Sequence, residues 1–345
     1  MKVLIVKVSA LGDVVHALPV LAHIRAVHPD AEIDWLVEEA FSPILEGHPL
    51  IQRVIRLRTK RWRKQPISSI LKEVSNFIRE LRSRRYDLVF DLQGNSKSGV
   101  CTLLARGQDK YGFDRANVRE WPNLLATRHH VPLGEKDHHI AQRALAVVRA
   151  ALPSENIVAS AGPLHVEDAS RQRIAEQLKQ FNISGPLVVC VYGTTWQTKL
   201  WALESWKELV KRLYQEQGIR PVLTWGNEEE KEAVEAIAEA SDETSIVWPR
   251  GSLQDLVALL EQSELVVGCD TGPVHIAAAV GTPTVSLYRV TDATRNGPVG
   301  EIHQRLQAPL ECSPCLRKHC DDDAACSCSI SVDDVYTAIV GQLKK

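Results

Sequence analysis

The sequence predicts an α/β protein made of two successive domains, each a parallel sheet covered by helices. Three observations predict it. Short apolar, β-branched runs alternate with runs of helical period along the whole chain, the pattern of a parallel sheet with helices on both faces. The length, 345 residues, is too great for one ordinary α/β domain and suits two. A low-charge stretch with Gly and Pro, 153–163, breaks the pattern near the middle. The expected domains are therefore 1–165 and 166–345.

The elements follow in order. Lys2–Ser9 is a β-branched run closed by Ala10-Leu11-Gly12-Asp13. Val14, Val15, Leu18, Leu21 and Ile24 then recur at helical spacing, and Pro29-Asp30 stops the helix. Glu32–Val37 is a second strand, completing the start of a βαβ unit. Ile70–Arg85 reads as a basic amphipathic helix, Asp87–Leu92 as a strand closed by Gln93-Gly94-Asn95, and Ile140–Leu152 as a helix. In the second half, Val166–Phe181, Leu203–Glu216, Glu228–Ala240 and Leu253–Gln262 read as helices. Leu187–Val191, Arg220–Trp225, Ser245–Trp248, Leu265–Gly268 and Thr284–Tyr288 read as strands. A helix opens near His275, and 333–343 is a closing helix, a candidate to pack back on the N-terminal domain. Ligands of open α/β sheets bind beyond the carboxyl ends of the strands, so functional residues should lie in the loops that follow strands.

Composition narrows the function. Hydrophobic residues make up 44% and charged residues 24% of the chain, so each half can bury a core. The net charge of −2 hides an uneven distribution: Arg53–Arg85 holds twelve Lys or Arg and two acids. Such a segment suggests a local anionic partner. The basic charge does not extend over the domain, which disfavours nucleic acid. No apolar run approaches the roughly 18 residues of a membrane span. The N-terminus is charged too early for a signal peptide. A cytoplasmic protein with at most peripheral membrane contact is expected. Five of the eight cysteines fall between Cys312 and Cys328, which in a reducing compartment favours a structural metal or free thiols over disulfides and over catalysis. Cys101, Cys190 and Cys269 lie in or beside apolar strands and read as packing residues.

Four loops carry candidate chemistry. In Asp270-Thr271-Gly272-Pro273-Val274-His275 a buried strand empties into a helix start. Gly272 allows close backbone approach, Pro273 suits the first helical turn, and free amides with the helix dipole form an anion site. His275 in that turn can donate to a phosphate. The plain alternative is that Asp270 or Thr271 merely caps the helix. Thr194 and Thr195, followed by Lys199, offer hydroxyls and a point charge to phosphates; a solvated lysine is the alternative, opposed by the surrounding tryptophans. Ser9–Asp13 lacks both G-x-G-x-x-G and a Walker lysine, which disfavours dehydrogenases and P-loop NTPases. Asp13 there is a general-base candidate or an N-terminal cap. Lys60, Arg61, Arg63 and Lys64 around Trp62 form a cationic clamp or a solvated basic loop.

Together these residues resemble glycosyltransferase family 9 over essentially the whole chain, and within it the branch that adds the first heptose of the lipopolysaccharide core. The resemblance rests on Val3–Lys7 with Gly12-Asp13, Asp34-Trp35-Leu36-Val37-Glu38-Glu39, Arg61-Trp62-Arg63-Lys64, Asp91-Leu92-Gln93-Gly94, Arg119-Glu120, Thr194-Thr195 with Lys199, Trp225-Gly226, and Asp270-Thr271-Gly272 with His275. Pro273-Val274 replaces the more usual Leu-Ser, and the cysteine-rich segment is similar to that of other members.

The resemblance implies a GT-B fold: two Rossmann-like domains facing a central cleft, the N-terminal one binding acceptor and the C-terminal one donor. It implies inverting transfer of L-glycero-D-manno-heptose from ADP-heptose to Kdo of Kdo₂-lipid A, at the cytoplasmic face of the inner membrane, with no cofactor or catalytic metal. By matching position, Asp13 would be the base, with Lys199 and His275 supporting catalysis. Thr194, Thr195, Lys199, Glu230, Gly251, Asp270, Thr271, Gly272 and His275 would hold the donor. Lys60, Arg61, Arg63, Lys64 and Arg119 would bind the acidic acceptor. Two alternatives remain open at this stage: addition of a second heptose, and a nucleotide-binding module without catalysis.

Overall fold

The computed structural model describes residues 1–63, 66–154, 164–183, 185–242 and 244–344. Lys64 and residues 155–163 of the expected linker lie outside them. The chain divides into two compact units, Met1–His165 and Val166–Lys345.

Unit 1 runs β1 (Lys2–Val6), α1 (Leu11–Ala17), α2 (Pro19–Val27), β2 (Glu32–Glu38), β3 (Arg53–Leu57), α3 (Thr59–Trp62), α4 (Ile67–Leu81), β4 (Arg85–Asp91), α5 (Ser96–Leu104), β5 (Arg106–Phe113), β6 (His129–Val131) and α6 (Ile140–Arg149). A 3-10 turn, Trp121–Ala126, precedes β6. The strands form one parallel sheet in the order β3-β2-β1-β4-β5-β6. β1 is the central strand because Val3, Leu4, Ile5 and Val6 are all fully buried. Such a run is buried on both faces.

Two expectations change here. The first helix is interrupted, since Pro19 opens α2 as a separate helix. Proline has no N–H to continue the α1 ladder but suits a first helical turn. The basic helix ends at Leu81, and Arg85 begins β4. The Ser83 hydroxyl donates to Glu80 O at 2.7 Å and closes the last turn. β3 and β5 escaped the sequence reading because each mixes charged with apolar residues.

Unit 2 runs α7 (Asp168–Gln180), β7 (Val188–Val191), α8 (Leu203–Gln217), β8 (Val222–Thr224), α9 (Glu228–Ala240), β9 (Ile246–Val247), α10 (Leu253–Glu261), β10 (Leu265–Cys269), α11 (Gly272–Ala279), β11 (Thr284–Tyr288), α12 (Ala293–Asn296), β12 (His303–Gln307), α13 (Asp323–Ser327) and α14 (Val332–Leu343). Its parallel sheet has the order β12-β11-β10-β7-β8-β9. Gly218, at φ 66°, ends α8 in the left-handed conformation that glycine tolerates best. The apolar face of α14, with Val335 and Ile339, is buried in this unit's own core.

Read from the opposite edge, the second sheet repeats the order of the first: third, second, first, fourth, fifth, sixth. This is the Rossmann order, in which the chain leaves the first strand toward one edge and returns at the fourth toward the other. The switch points lie between β1 and β4 and between β7 and β10. Crossovers diverge there, which leaves a crevice at the strands' carboxyl ends.

Candidate active site

The unit 2 switch point holds the tightest polar constellation. Asp270, directly after β10, is 5% exposed. Its Oδ2 accepts from Lys199 Nζ at 2.7 Å and Asn296 Nδ2 at 3.3 Å, and its Oδ1 lies 3.0 Å from His275 Nε2. Lys199 also reaches Asp270 O at 3.3 Å. Burial alone would raise the Asp270 carboxyl. The hydrogen bond and charge of His275, then those of Lys199, outweigh it and hold the carboxyl well below the usual carboxylate range. The capping alternative for Asp270 is thus replaced by an anchoring role. Thr271 is the N-cap of α11 but makes no side-chain capping bond, and Pro273 sits in the first turn.

Lys199 comes from the loop after β7. Its ammonium stands 5.0 Å from the centre of the Trp196 ring. Thr194 Oγ1 accepts from Trp196 N at 3.4 Å and shapes the turn. One strand further out, Glu230 in the first turn of α9 accepts from Gly226 N at 2.6 Å and from Asn227 Nδ2 at 2.9 Å. It lies so close to Gly193 that a Cβ there would meet its carboxylate at 2.1 Å. Beside it, past the ends of β8 and β9, is a pocket of about 240 Å³ lined in part by Trp225, Gly226, Trp248, Gly251 and Leu253. Trp225 Nε1 donates to the backbone carbonyl of Trp248 at 2.9 Å and fixes the Trp225 indole against the end of β9. Aromatic walls and close glycines suit a flat ring system.

In unit 1 the loop after β1 is held by the loop after β4. Gln93 Oε1 accepts from Val8 N at 3.1 Å and Ser9 N at 3.0 Å. Gln93 is held in turn by Asp91, which accepts from Gln93 N, Gly94 N, Ser98 Oγ, Thr102 Oγ1 and Asn123 Nδ2. Asp13 lies in the first turn of α1, partly exposed, and accepts from Ala10 N at 3.3 Å. Its capping role is therefore realised, by a long bond. Gly94 brings Arg119 to the same edge: Glu120 N donates to Gly94 O at 2.9 Å. Lys60 N donates to the buried Glu38 at 3.2 Å, and Lys97 pairs with the same carboxylate at 3.2 Å.

The model of glycosyltransferase family 9 (heptosyltransferase) matches residues 74–325. The chain belongs to this family. It is 36% identical to lipopolysaccharide heptosyltransferase 1 of Pseudomonas aeruginosa, over 93% of this chain and 87% of that one. It is 34% identical to the Escherichia coli K12 protein of the same name, over 90% and 95%. A solved E. coli heptosyltransferase, WaaC with ADP-2-deoxy-2-fluoro heptose, superposes with a TM-score of 0.77 at 30% identity, covering 99% of each chain. The two Rossmann-ordered sheets are those of the GT-B fold, and this family member is a glycosyltransferase.

One feature differs from the sequence expectation. The basic segment is less free than its composition implies. Arg53 and Arg84 pair with the buried Asp34, Arg56 with Glu46, Arg58 with Glu39 and Arg61 with Glu73. Lys60 and Arg63 remain exposed beside them. The clustered cysteines are free thiols, and among the described residues no group of three or more His, Cys, Asp or Glu is arranged to hold a metal ion. The thiols of Cys101, Cys190 and Cys269 are buried and pushed up to about 12 by that burial, as packing residues should be.

Sequence reasoning missed Asn296 and Arg289 and gave Gln93, though part of a quoted motif, no role. Arg289 is fully buried and donates to Leu200 O, Cys326 O and Asp323 O, and its ion pair with Asp323 Oδ1 is 2.7 Å long. It ties the cysteine-rich segment to the Lys199 loop. Thr198 Oγ1, donating to Arg317 O at 2.8 Å, reinforces the tie. Isolated polar residues in loops carry no periodic signal, so the partners of these three cannot be read from the sequence.

Proposed function

We propose that the protein is an inverting glycosyltransferase that moves L-glycero-D-manno-heptose from ADP-heptose to a Kdo hydroxyl of Kdo₂-lipid A, working as a peripheral enzyme on the cytoplasmic face of the inner membrane. The observation that carries this reading is the buried Asp270 holding Lys199 and His275 at a Rossmann switch point, in the same unit as the pocket of Trp225 and Trp248. The identity to lipopolysaccharide heptosyltransferase 1 supports heptose transfer, and the solved relative with ADP-2-deoxy-2-fluoro heptose supports the donor.

In this reading Trp225, Trp248, Gly251 and Glu230 receive the nucleoside. Thr194, Thr195, Lys199, His275 and the amides of Thr271 and Gly272 receive the diphosphate. Asp270 holds Lys199 and His275 in place. Lys60, Arg61, Arg63, Lys64 and Arg119 meet the acidic acceptor. Asp13 takes the proton of the Kdo hydroxyl as its oxygen attacks the anomeric carbon on the face opposite ADP. The bond from that carbon to the diphosphate breaks, and negative charge builds on the leaving ADP. Donors aimed at that charge act with little reorganisation, and losing one costs about 3 kcal/mol of barrier, roughly a hundredfold in rate.

The test incubates ADP-heptose with Kdo₂-lipid A and reads the mass gain of one heptose. Transfer only to an already heptosylated acceptor would move the reading to the second heptose. ADP binding without turnover on either would reduce it to a binding module. Asp13→Ala should abolish transfer while ADP binding persists, and full activity in that variant would remove Asp13 from the role of base.

A further inference from the structure

Unit 1 carries an apolar patch that its own fold does not use. On α5, Val100 is 58% and Leu103 61% exposed; on the 3-10 turn that follows Glu120, Trp121 is 70% and Leu125 76% exposed. The two elements are packed on each other. A Cβ on Gly99 would meet Asn123 at 3.2 Å and Ala126 at 3.6 Å. Glu120 Oε2 accepts from Ser96 N at 2.9 Å and Ser96 Oγ at 2.5 Å, which fixes Trp121 beside the start of α5. Val100 lies one helical turn beyond Ser96, and Leu103 one turn beyond Val100. Four large apolar side chains thus stand outward from one packed pair of elements. Single exposed apolar residues need no explanation, whereas a grouped set marks an interaction surface.

The charge around the patch indicates the partner. Residues 96–128 hold six Lys or Arg and three acids, and α5 itself has no acid. Arg82 donates to Leu104 O at 3.0 Å, and Lys110 donates to Thr102 O at 2.7 Å and Leu103 O at 3.1 Å, so two cations sit at the end of α5. Arg119 borders the other end. Apolar side chains with cations at both ends, and Glu120 as the acid held against Ser96, match a bilayer surface with anionic headgroups. The basic helix α4 also exposes Ile67 and Leu71, but Glu73 and Glu80 lie on it and dilute its charge.

We infer that the α5 and Trp121–Ala126 face is the surface by which the protein docks on an anionic bilayer, with Val100, Leu103, Trp121 and Leu125 entering the headgroup boundary. The inference rests on the proposed lipid-anchored acceptor, because the patch begins two residues after Arg119, a residue assigned to that acceptor. Docking there would present the acceptor's head to Arg119.

The test is flotation of the full chain with vesicles of phosphatidylcholine alone and of phosphatidylcholine with phosphatidylglycerol. The wild type should bind the anionic vesicles, more weakly at high salt. Leu103→Glu with Leu125→Glu should weaken that binding by more than about tenfold. Transfer to a water-soluble, deacylated Kdo acceptor should be unchanged, and the helical circular dichroism should match the wild type. Ile67→Glu with Leu71→Glu should leave vesicle binding within about twofold of wild type. Equal binding by the Leu103/Leu125 variant, loss through the α4 variant instead, loss of transfer to the soluble acceptor, or a wild-type dimer that this variant dissociates would each overturn the inference. Failure of wild type to transfer heptose to any acceptor would count against the proposed function alone, since vesicle binding is read separately.

Discussion

Lys199 Nζ stands 2.7 Å from Asp270 Oδ2, joining the loop after β7 to the end of β10 across the unit 2 switch point. Both groups are largely shielded from water, and the carboxylate also holds His275. Removing one partner of such a pair strands the other charge, which costs about 3–5 kcal/mol. Asp270→Asn should therefore lower stability at neutral pH and lower kcat by roughly a hundredfold or more as Lys199 and His275 lose their anchor. The pH dependence has a definite sign. The folded carboxyl is held below its unfolded value, so its contribution is complete above the unfolded pKa of about 4 and fades as pH falls below it. Urea titrations should show the gap between wild type and Asp270→Asn narrowing as the pH drops under about 4. A constant gap would deny the ionised anchor.

Gly193 is fixed by its neighbour. A Cβ there would come within 2.5 Å of all three carboxyl atoms of Glu230. The obstruction is the end of a flexible side chain, so Gly193→Ala should fold but push Glu230 off Gly226 N. Calorimetry should then show ADP binding weakened by about tenfold, an increment of about 1.4 kcal/mol, with little change in melting temperature. Unchanged affinity would detach Glu230 from nucleoside binding.

These two cases show what was legible in the sequence. The fold was readable because β1, β7 and β10 carry unbroken apolar runs between helices of clear period. Asp270 and Thr271 stood out because they follow such a strand directly, and Lys199 because it shares the loop after β7 with Thr194 and Thr195. What Asp270 does was not readable: the sequence left it as a cap or a ligand, whereas two of its three side-chain partners come from residues 199 and 296, and pairing across that distance leaves no local pattern. The freedom of the basic segment was overestimated for the same reason, since Asp34, Glu39 and Glu46 lie outside it in the sequence but beside it in the sheet. The strands β3, β5 and β12 were missed because a mixed polar run carries no clear period-two signal.

His303 on β12 offers a pH effect away from the site. Its Nδ1 lies 3.0 Å from Thr284 Oγ1. Burial, and then the nearby charge of Arg305, push its pKa down to about 4. The unfolded chain binds the proton near pH 6.5, so the folded state refuses a proton that the unfolded state accepts between those values. Stability from this residue is complete above about pH 6.5 and is lost as the pH falls toward 4. His303→Gln should flatten the fall of the urea midpoint over that window. An unaltered slope would show that other groups dominate it.

Arg289 separates two explanations of the cysteine-rich segment. If the segment works as a strap, its function depends on the buried guanidinium that joins Asp323 and Cys326 to Leu200, next to Lys199. Arg289→Met leaves three backbone carbonyls and a carboxylate without this donor, and buried acceptors left unpaired cost about 1–3 kcal/mol each. The variant should melt at a lower temperature and show a raised KM for the donor, because the Lys199 loop loses its backing. If the thiols themselves matter, the effect should come from Cys312 and Cys315, which are not buried. Cys312→Ser with Cys315→Ser should leave both melting temperature and KM near wild type. The opposite pairing of results, a silent Arg289→Met and an inactive double serine variant, would assign the segment to thiol chemistry.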